Sequence, residues 1–134
     1  MNGPDITAQE YAYRTIRAAV AADIPVETRP RTNGPLPYVY VGAASLREHP
    51  VGYEISLSVE VWSTKEGPIQ GKQVQQTVRA ALDGTVHTDV TESVGAISWR
   101  FTLIHEELAI TQLERANSVW HGSQKFRFLA ESQV

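Results

Sequence analysis

The sequence predicts an α+β fold: an antiparallel sheet of about four strands with two helices packed on one face. Three segments alternate apolar and polar side chains with the period of a strand, and each has one apolar side. Two further segments repeat apolar residues at helical spacing. A sheet that is covered on one side requires strands of this kind. The length of 134 residues suits a single domain, which we expect to span residues 1–134.

The first predicted helix runs from about Ala8 to Ala22. Thr7 followed by Glu10 has the spacing of a capping box, and Ile6 with Tyr11 has the spacing of a hydrophobic staple. These two signals place the start of the helix directly after Thr7.

The second predicted helix runs from about Pro68 to Asp83. Proline suits the first position of a helix, and Gly84 suits the left-handed residue that follows one. Gly71 costs helix stability, so its presence indicates close packing on the sheet. The predicted apolar face of this helix consists of Ile69, Gln73, Val74, Thr77, Val78, Ala81 and Leu82.

The clearest strand is Val51–Ser63, in which four aliphatic residues alternate with polar ones. Trp62 lies on its polar side, so this ring either packs under a loop or meets a partner. A short strand is predicted at Tyr38–Gly42, with Ala43–Pro50 linking it to the long strand, and Val26–Thr28 could form a short edge strand.

The C-terminal part of the chain contains two further alternating segments. The first begins at Ile97, and its alternation is interrupted near Glu106–Glu107, which predicts a bulge or a strand end. Leu108 to Leu113 could continue this strand. In the last strand one face is predicted to carry Trp120, Gly122, Gln124, Phe126 and Phe128.

Composition excludes several classes of site. The chain has no cysteine, which removes disulfides, thiolate metal sites and cysteine nucleophiles. The net charge is −3, and the local basic grouping of Arg14, Arg17, Arg29 and Arg31 is more typical of a solvated surface than of a nucleic-acid interface. No apolar run approaches the ~18 residues of a membrane span, and the N-terminus lacks the features of a signal peptide.

No catalytic, cofactor-binding or metal-binding constellation is apparent in the sequence. The four histidines have no second ligand at the spacings of known metal motifs, and no Gly-rich phosphate loop or GxSxG motif occurs. Glu106 and Glu107 lie next to His105, but neighbouring residues of a strand face opposite ways. The tryptophans and phenylalanines are better explained by core packing than by base stacking.

A set of sequence blocks occurs in a distinctive order and spacing. The blocks are PYVYVG at Pro37–Gly42, VEVWS at Val59–Ser63, ALDG at Ala81–Gly84, the strand around Trp99–Phe101 and WHGxxxFRF at Trp120–Phe128. Together they resemble the tail-completion, or tail-terminator, proteins of long-tailed phages and of phage-derived particles such as gene transfer agents. The starting helix, YRTIRAAVAAD, is similar to the N-terminus of that family. The chain departs from the family pattern at Glu106–Ser118, which is longer, and at the proline-rich loop Arg29–Pro37.

The resemblance implies a non-enzymatic structural protein of the virion. Members form a homo-hexameric ring on the head-proximal end of the tail tube, where the ring ends tube polymerisation and joins the tail to the head. The implied partners are further copies of the chain, the tail tube protein and a head connector or stopper protein. DNA passes through the lumen without specific binding. The implied location is the tail or neck of a virion or phage-like particle, assembled in the host bacterial cytoplasm, without contact to a membrane.

A closed ring needs a head-to-tail interface with two different patches on each subunit. Protruding segments could supply these patches, and the candidates are Arg29–Pro37, with Arg29 and Arg31, and Glu106–Ser118. A solvated loop gains nothing from three apolar residues, so we expect Leu108, Ile110 and Leu113 to pack on a neighbouring subunit. Trp62 is a further candidate for the interface.

The polar side of the long strand carries Glu54 and Glu60. Carboxylates there would suit a lumen that repels phosphate, and a solvated sheet face accounts for them equally well. Two other functions stay open at this point. One is another head–tail component, such as a stopper or connector adaptor; the other is a small cytoplasmic ligand-binding domain or enzyme, which a deep pocket with convergent polar groups would favour.

Overall fold

The computed structural model describes residues 4–29, 36–64, 68–83, 90–94, 97–114 and 119–132. The elements in chain order are α1 (Pro4–Ala19), β1 (Val26–Glu27), β2 (Tyr38–His49), β3 (Gly52–Ser63), α2 (Ile69–Leu82), β4 (Val90–Val94), β5 (Ile97–Glu114) and β6 (Val119–Ser132).

The sheet has six strands in the order β1-β2-β3-β6-β5-β4. The pair β1–β2 is parallel, and the other four pairs are antiparallel. The α+β class is therefore confirmed, whereas the prediction of a four-stranded antiparallel sheet is wrong in size and in being purely antiparallel. The additional strands are short edge strands: β1 lies within the segment Val26–Thr28, where the sequence suggested one, and the five residues of β4 carry too little alternation to predict a strand.

Strand β2 is twelve residues long and includes most of the segment that was predicted to be a link. A bulge causes the difference, because Gly42 and Ala43 together face Ser58 on β3. The extra residue shifts the side chains that follow by one face, so the apolar alternation of the sequence stops at the bulge. Helix α1 supports the bulge, since Gln9 Nε2 donates to the carbonyl oxygen of Val41 at 3.1 Å.

The core lies between the two helices and one face of the sheet. The buried side chains of α1 contact β2 and β3, and α2 lies across β3, β6 and β5. At the centre, the ring of Phe101 lies 5.7 Å from that of Phe128 and 5.9 Å from that of Tyr11, measured between centroids. Buried aliphatic residues of the long strand surround this group: Ile55, Leu57, Val59 and Val61.

Helix α1 begins at Pro4 rather than at Ala8, so the predicted capping box is wrong. Thr7 is buried inside the helix, and Ile6 is exposed on its surface instead of forming a staple. Proline is favourable in the first turn because it has no N–H to satisfy there. At the other end of the helix, the Arg17 guanidinium donates to the carbonyl oxygens of Val20, Ala21 and Ile24.

Helix α2 lies close to the predicted bounds, with Pro68 as its N-cap residue. A Cβ at Gly71 would lie 2.8 Å from Ser63 Oγ, which confirms the close approach that the glycine indicated. The predicted apolar face needs correction, because Gln75 is buried whereas Ile69 and Gln73 are exposed. The predicted cap residue Gly84 lies outside the described residues.

Candidate interaction surface

The face of the sheet opposite the helices is not covered by any described element, and we call it the outer face. Tyr38, Trp62 and His121 stand in one row across it, on β2, β3 and β6. The rings of Trp62 and His121 are stacked, with centroids 3.9 Å apart and planes 2° apart, and Tyr38 stacks on the far side of Trp62 at 6.4 Å. Trp62 is thus half-buried among cross-strand neighbours, and whether it also meets a partner stays a prediction.

The two carboxylates that were predicted to face a lumen lie on this outer face, and each has a basic neighbour. Glu54 Oε1 lies 2.7 Å from Arg47 and 3.4 Å from Arg127. The hydrogen bond from Arg47 holds the pKa of the Glu54 carboxyl below its usual range, the Arg127 charge acts in the same direction, and desolvation opposes both. Glu60 Oε2 lies 2.7 Å from His121 Nε2.

Two bulges in β5 decide which way its exposed residues point. Leu103 and Ile104 together face Phe128 on β6, and Glu107 is an extra residue between the pairs of Glu106 and Leu108. Each bulge shifts the alternation by one residue, so the two together restore the original order. This confirms the predicted irregularity near Glu106–Glu107 and shows that the strand continues beyond it.

The three apolar residues of the predicted interface are all exposed, but they do not share one face. Leu108 pairs with Lys125 and Ile110 with Ser123, which places both on the outer face with exposures of 46% each. Leu113 pairs with Trp120 and points to the side that carries the helices. The hairpin of β5 and β6 therefore presents apolar groups on both of its sides.

A partly buried polar seam, formed by Gln75, Arg79, Glu106, Thr111 and Gln124, joins α2 to this hairpin. Gln124 Nε2 donates to Glu106 Oε2 at 2.8 Å and to the backbone oxygen of Gln75 at 3.0 Å. Gln75 Oε1 accepts from Thr111, and Arg79 Nε donates to Glu106 Oε1. Sequence reasoning missed the seam, because glutamines on a helix and a strand gave no apolar signal. The only sign of the seam in the sequence was the interruption of the apolar alternation near Glu106.

The glycine of the WHG block has a specific place in this seam. A Cβ at Gly122 would overlap the side-chain amide of Gln75, so a larger residue there would require this amide to move from its place in the seam. His121, the residue before it, points to the other face and stacks on Trp62. The WHG block thus contributes contacts on both faces of the sheet.

The basic residues that are grouped in the sequence have different surroundings in the structure. Arg17 is bound to the end of α1, and exposed Arg29 lines a shallow depression of about 420 Å³ with Tyr13, Val26 and Glu27. Arg31 lies outside the described residues. A second depression, of about 200 Å³, lies between α2 and β5.

The described residues contain neither a metal-binding cluster nor a membrane-spanning helix. No group of three or more His, Cys, Asp and Glu side chains is placed to hold a metal ion. No described helix is long and apolar enough to cross a membrane.

Comparison with known proteins identifies a family. The family model described as "Tail completion protein gp17" matches residues 6–129. A chain of a solved structure titled "Virion of native gene transfer agent (GTA) particle" superposes with a TM-score of 0.69 at 19% identity, covering 93% of this chain and 95% of that chain, which establishes a shared fold. No curated protein sequence matches. The chain belongs to the tail completion protein gp17 family, which places it in the tail or neck region of a virion or phage-like particle.

Proposed function

We propose that the protein is a non-enzymatic tail terminator that forms a homo-hexameric ring on the head-proximal end of the tail tube. The ring ends polymerisation of the tube and presents a docking face for the head connector or stopper protein. The family match over residues 6–129 carries the proposal, since it spans nearly the whole chain. Ring formation then accounts for a surface that family membership alone does not explain.

That surface is the β5–β6 hairpin. Leu108 and Ile110 remain nearly half exposed on the outer face, and Leu113 remains exposed on the other. Full burial of one such side chain is worth roughly 1.5–3 kcal/mol, so covering the exposed part of three of them favours association by several kcal/mol in total. The seam from Gln75 to Glu106 fixes the hairpin against α2, so these residues are presented on a rigid support rather than on a loop.

In this proposal the outer face of the sheet includes the surface that DNA passes. Glu54 and Glu60 contribute negative charge there, reduced by Arg47 and Arg127 beside Glu54 and, when it is protonated, by His121 beside Glu60. A lumen of balanced charge lets phosphates pass without binding them.

The test uses particle-producing cells that lack the chain and are complemented with variants. We expect Leu108→Thr with Ile110→Thr to give tails of irregular length and heads without tails, because the ring does not form. Threonine is β-branched, as strands favour, so the fold is retained. Electron microscopy of purified particles gives both tail length and the fraction of joined heads.

The matched control is Ile69→Thr, which replaces an even more exposed apolar side chain, 70% exposed, at the start of α2, away from the hairpin. This variant is expected to assemble normally. Unchanged assembly of the Leu108/Ile110 variant contradicts the proposed interface. If the chain is found on the portal of heads that carry no tube, it is a stopper or connector adaptor instead of a tail terminator.

A further inference from the structure

We infer that the second patch of the ring interface is the end of the β2–β3 hairpin, and that the edges of neighbouring copies overlap in the ring. The margin of one copy at Leu46, Glu48 and Val51 lies over Leu108, Ile110 and Lys125 of the next copy. This inference rests on the proposed function, because it names the partner surface within the ring.

The exposed apolar residues support this assignment. In the described chain, exposed large apolar side chains outside the starts of the two helices fall only at the β5–β6 hairpin and at the β2–β3 hairpin end. There, Leu46 is 45% exposed and Val51 is 56% exposed. Leu46 lies on β2, whereas Leu108 and Ile110 lie on β5, and strands β3 and β6 separate β2 from β5 in the sheet. A contact between them therefore joins different copies.

The orientation of the two patches determines how copies can meet. Leu46 pairs with Ile55 and Glu48 with Tyr53, which places both on the side that carries the helices. Leu108, Ile110 and Lys125 point to the outer face. Because the patches lie on opposite faces at opposite margins, two copies cannot satisfy both contacts in one dimer. Each contact leaves one patch open for a further copy, which is the geometry that a ring requires.

The charges of the two patches are complementary. Glu48 is exposed beside Leu46, and Lys125 is exposed directly across from Leu108. Within the described residues neither has an ion-pair partner in its own chain, in contrast to Glu54 and Arg127 nearby. An acidic group beside one apolar patch and a basic group beside the other favour head-to-tail contact and disfavour contact between like patches.

Because the chain has no cysteine, a thiol crosslinker can join copies of it only through cysteines that are introduced. Particles are assembled with Glu48→Cys plus Lys125→Cys, treated with a short bismaleimide and run on a denaturing gel. We expect a ladder of covalent multimers whose largest band marks the closed ring, at six copies. Each single variant is expected to give monomer alone, and so is Gln73→Cys with Lys125→Cys, since Gln73 is exposed on α2 away from both patches.

Two results overturn the inference: monomer alone from joined particles that contain the double variant, or dimers from Lys125→Cys by itself. A second experiment tests the inference if particles with the double cysteine variant do not assemble. Glu48→Lys and Lys125→Glu are each expected to lose joined particles, and the two together to restore them. Normal joining by both single charge variants contradicts the inference. Absence of the unmodified chain from purified particles contradicts the proposed function instead.

Discussion

Gly52 shows how a single residue sets the geometry of the β2–β3 hairpin end. Its φ is +157°, and a Cβ at this position would lie 2.1 Å from the backbone oxygen of Ala130 on β6. Backbone atoms cannot move aside as a flexible side chain can. The hairpin end therefore lies against β6, and this fixes the position of neighbouring Val51.

We expect Gly52→Ala to lower the free energy of unfolding by about 1–3 kcal/mol from backbone strain alone. Urea denaturation of the isolated chain gives the value. Gly42→Ala is the matched control, since its Cβ would lie 3.1 Å from Ser58 O and φ is not in the strained range. The cost at Gly42 should be clearly smaller; equal costs contradict the assigned role of Gly52.

At the scale of elements, the sequence predicts strands and helices well where one uninterrupted period holds. Strand β3 keeps its alternation over its whole length, and it was predicted to within one residue. Strands β2 and β5 contain bulges, and a bulge reverses the faces that a simple alternation assigns. Of these bulges, only the one at Glu107 in β5 was visible in the sequence, because two glutamates interrupt the apolar series there.

Helix ends and polar contacts were harder to predict. The capping signal at Thr7 is genuine as a local pattern, but tertiary packing buries that residue within a helix that begins earlier. Burial of Gln75 and Gln124 depends on partners 36 and 49 residues away along the chain. Local spacing contains no information about such pairs, so neither the seam nor the orientation of α2 followed from the sequence.

The hydrogen bonds of the seam predict that loss of the Gln124 amide lowers the free energy of unfolding. In Gln124→Leu the side chain keeps its approximate size, but Glu106 Oε2 and the backbone oxygen of Gln75 lose the hydrogen bonds that the Gln124 amide donates. We expect the free energy of unfolding to fall by about 1–3 kcal/mol, as for other buried polar groups left without a partner. Urea denaturation measures it, with exposed Gln73→Leu as the control of near-zero effect. A change below about 0.5 kcal/mol shows that the seam does not stabilise the fold.

At the scale of the whole molecule, folding and assembly use different surfaces. The apolar core lies between the helices and one face of the sheet, whereas the residues assigned to the ring lie on the outer face and at two margins. An interface built from residues that the monomer does not need allows the fold to be complete before copies meet. Mutation should therefore separate stability from assembly.

We expect Leu108→Thr with Ile110→Thr to change the free energy of unfolding of the isolated chain by no more than about 0.5 kcal/mol per residue, as for surface substitutions, while joined particles are lost. Phe128→Ala removes a fully buried ring and should cost about 3–5 kcal/mol. Urea denaturation and electron microscopy of particles, applied to both variants, make the comparison. If the Leu108/Ile110 variant unfolds as readily as Phe128→Ala, these side chains support the fold itself, and their exposure then has no bearing on the ring.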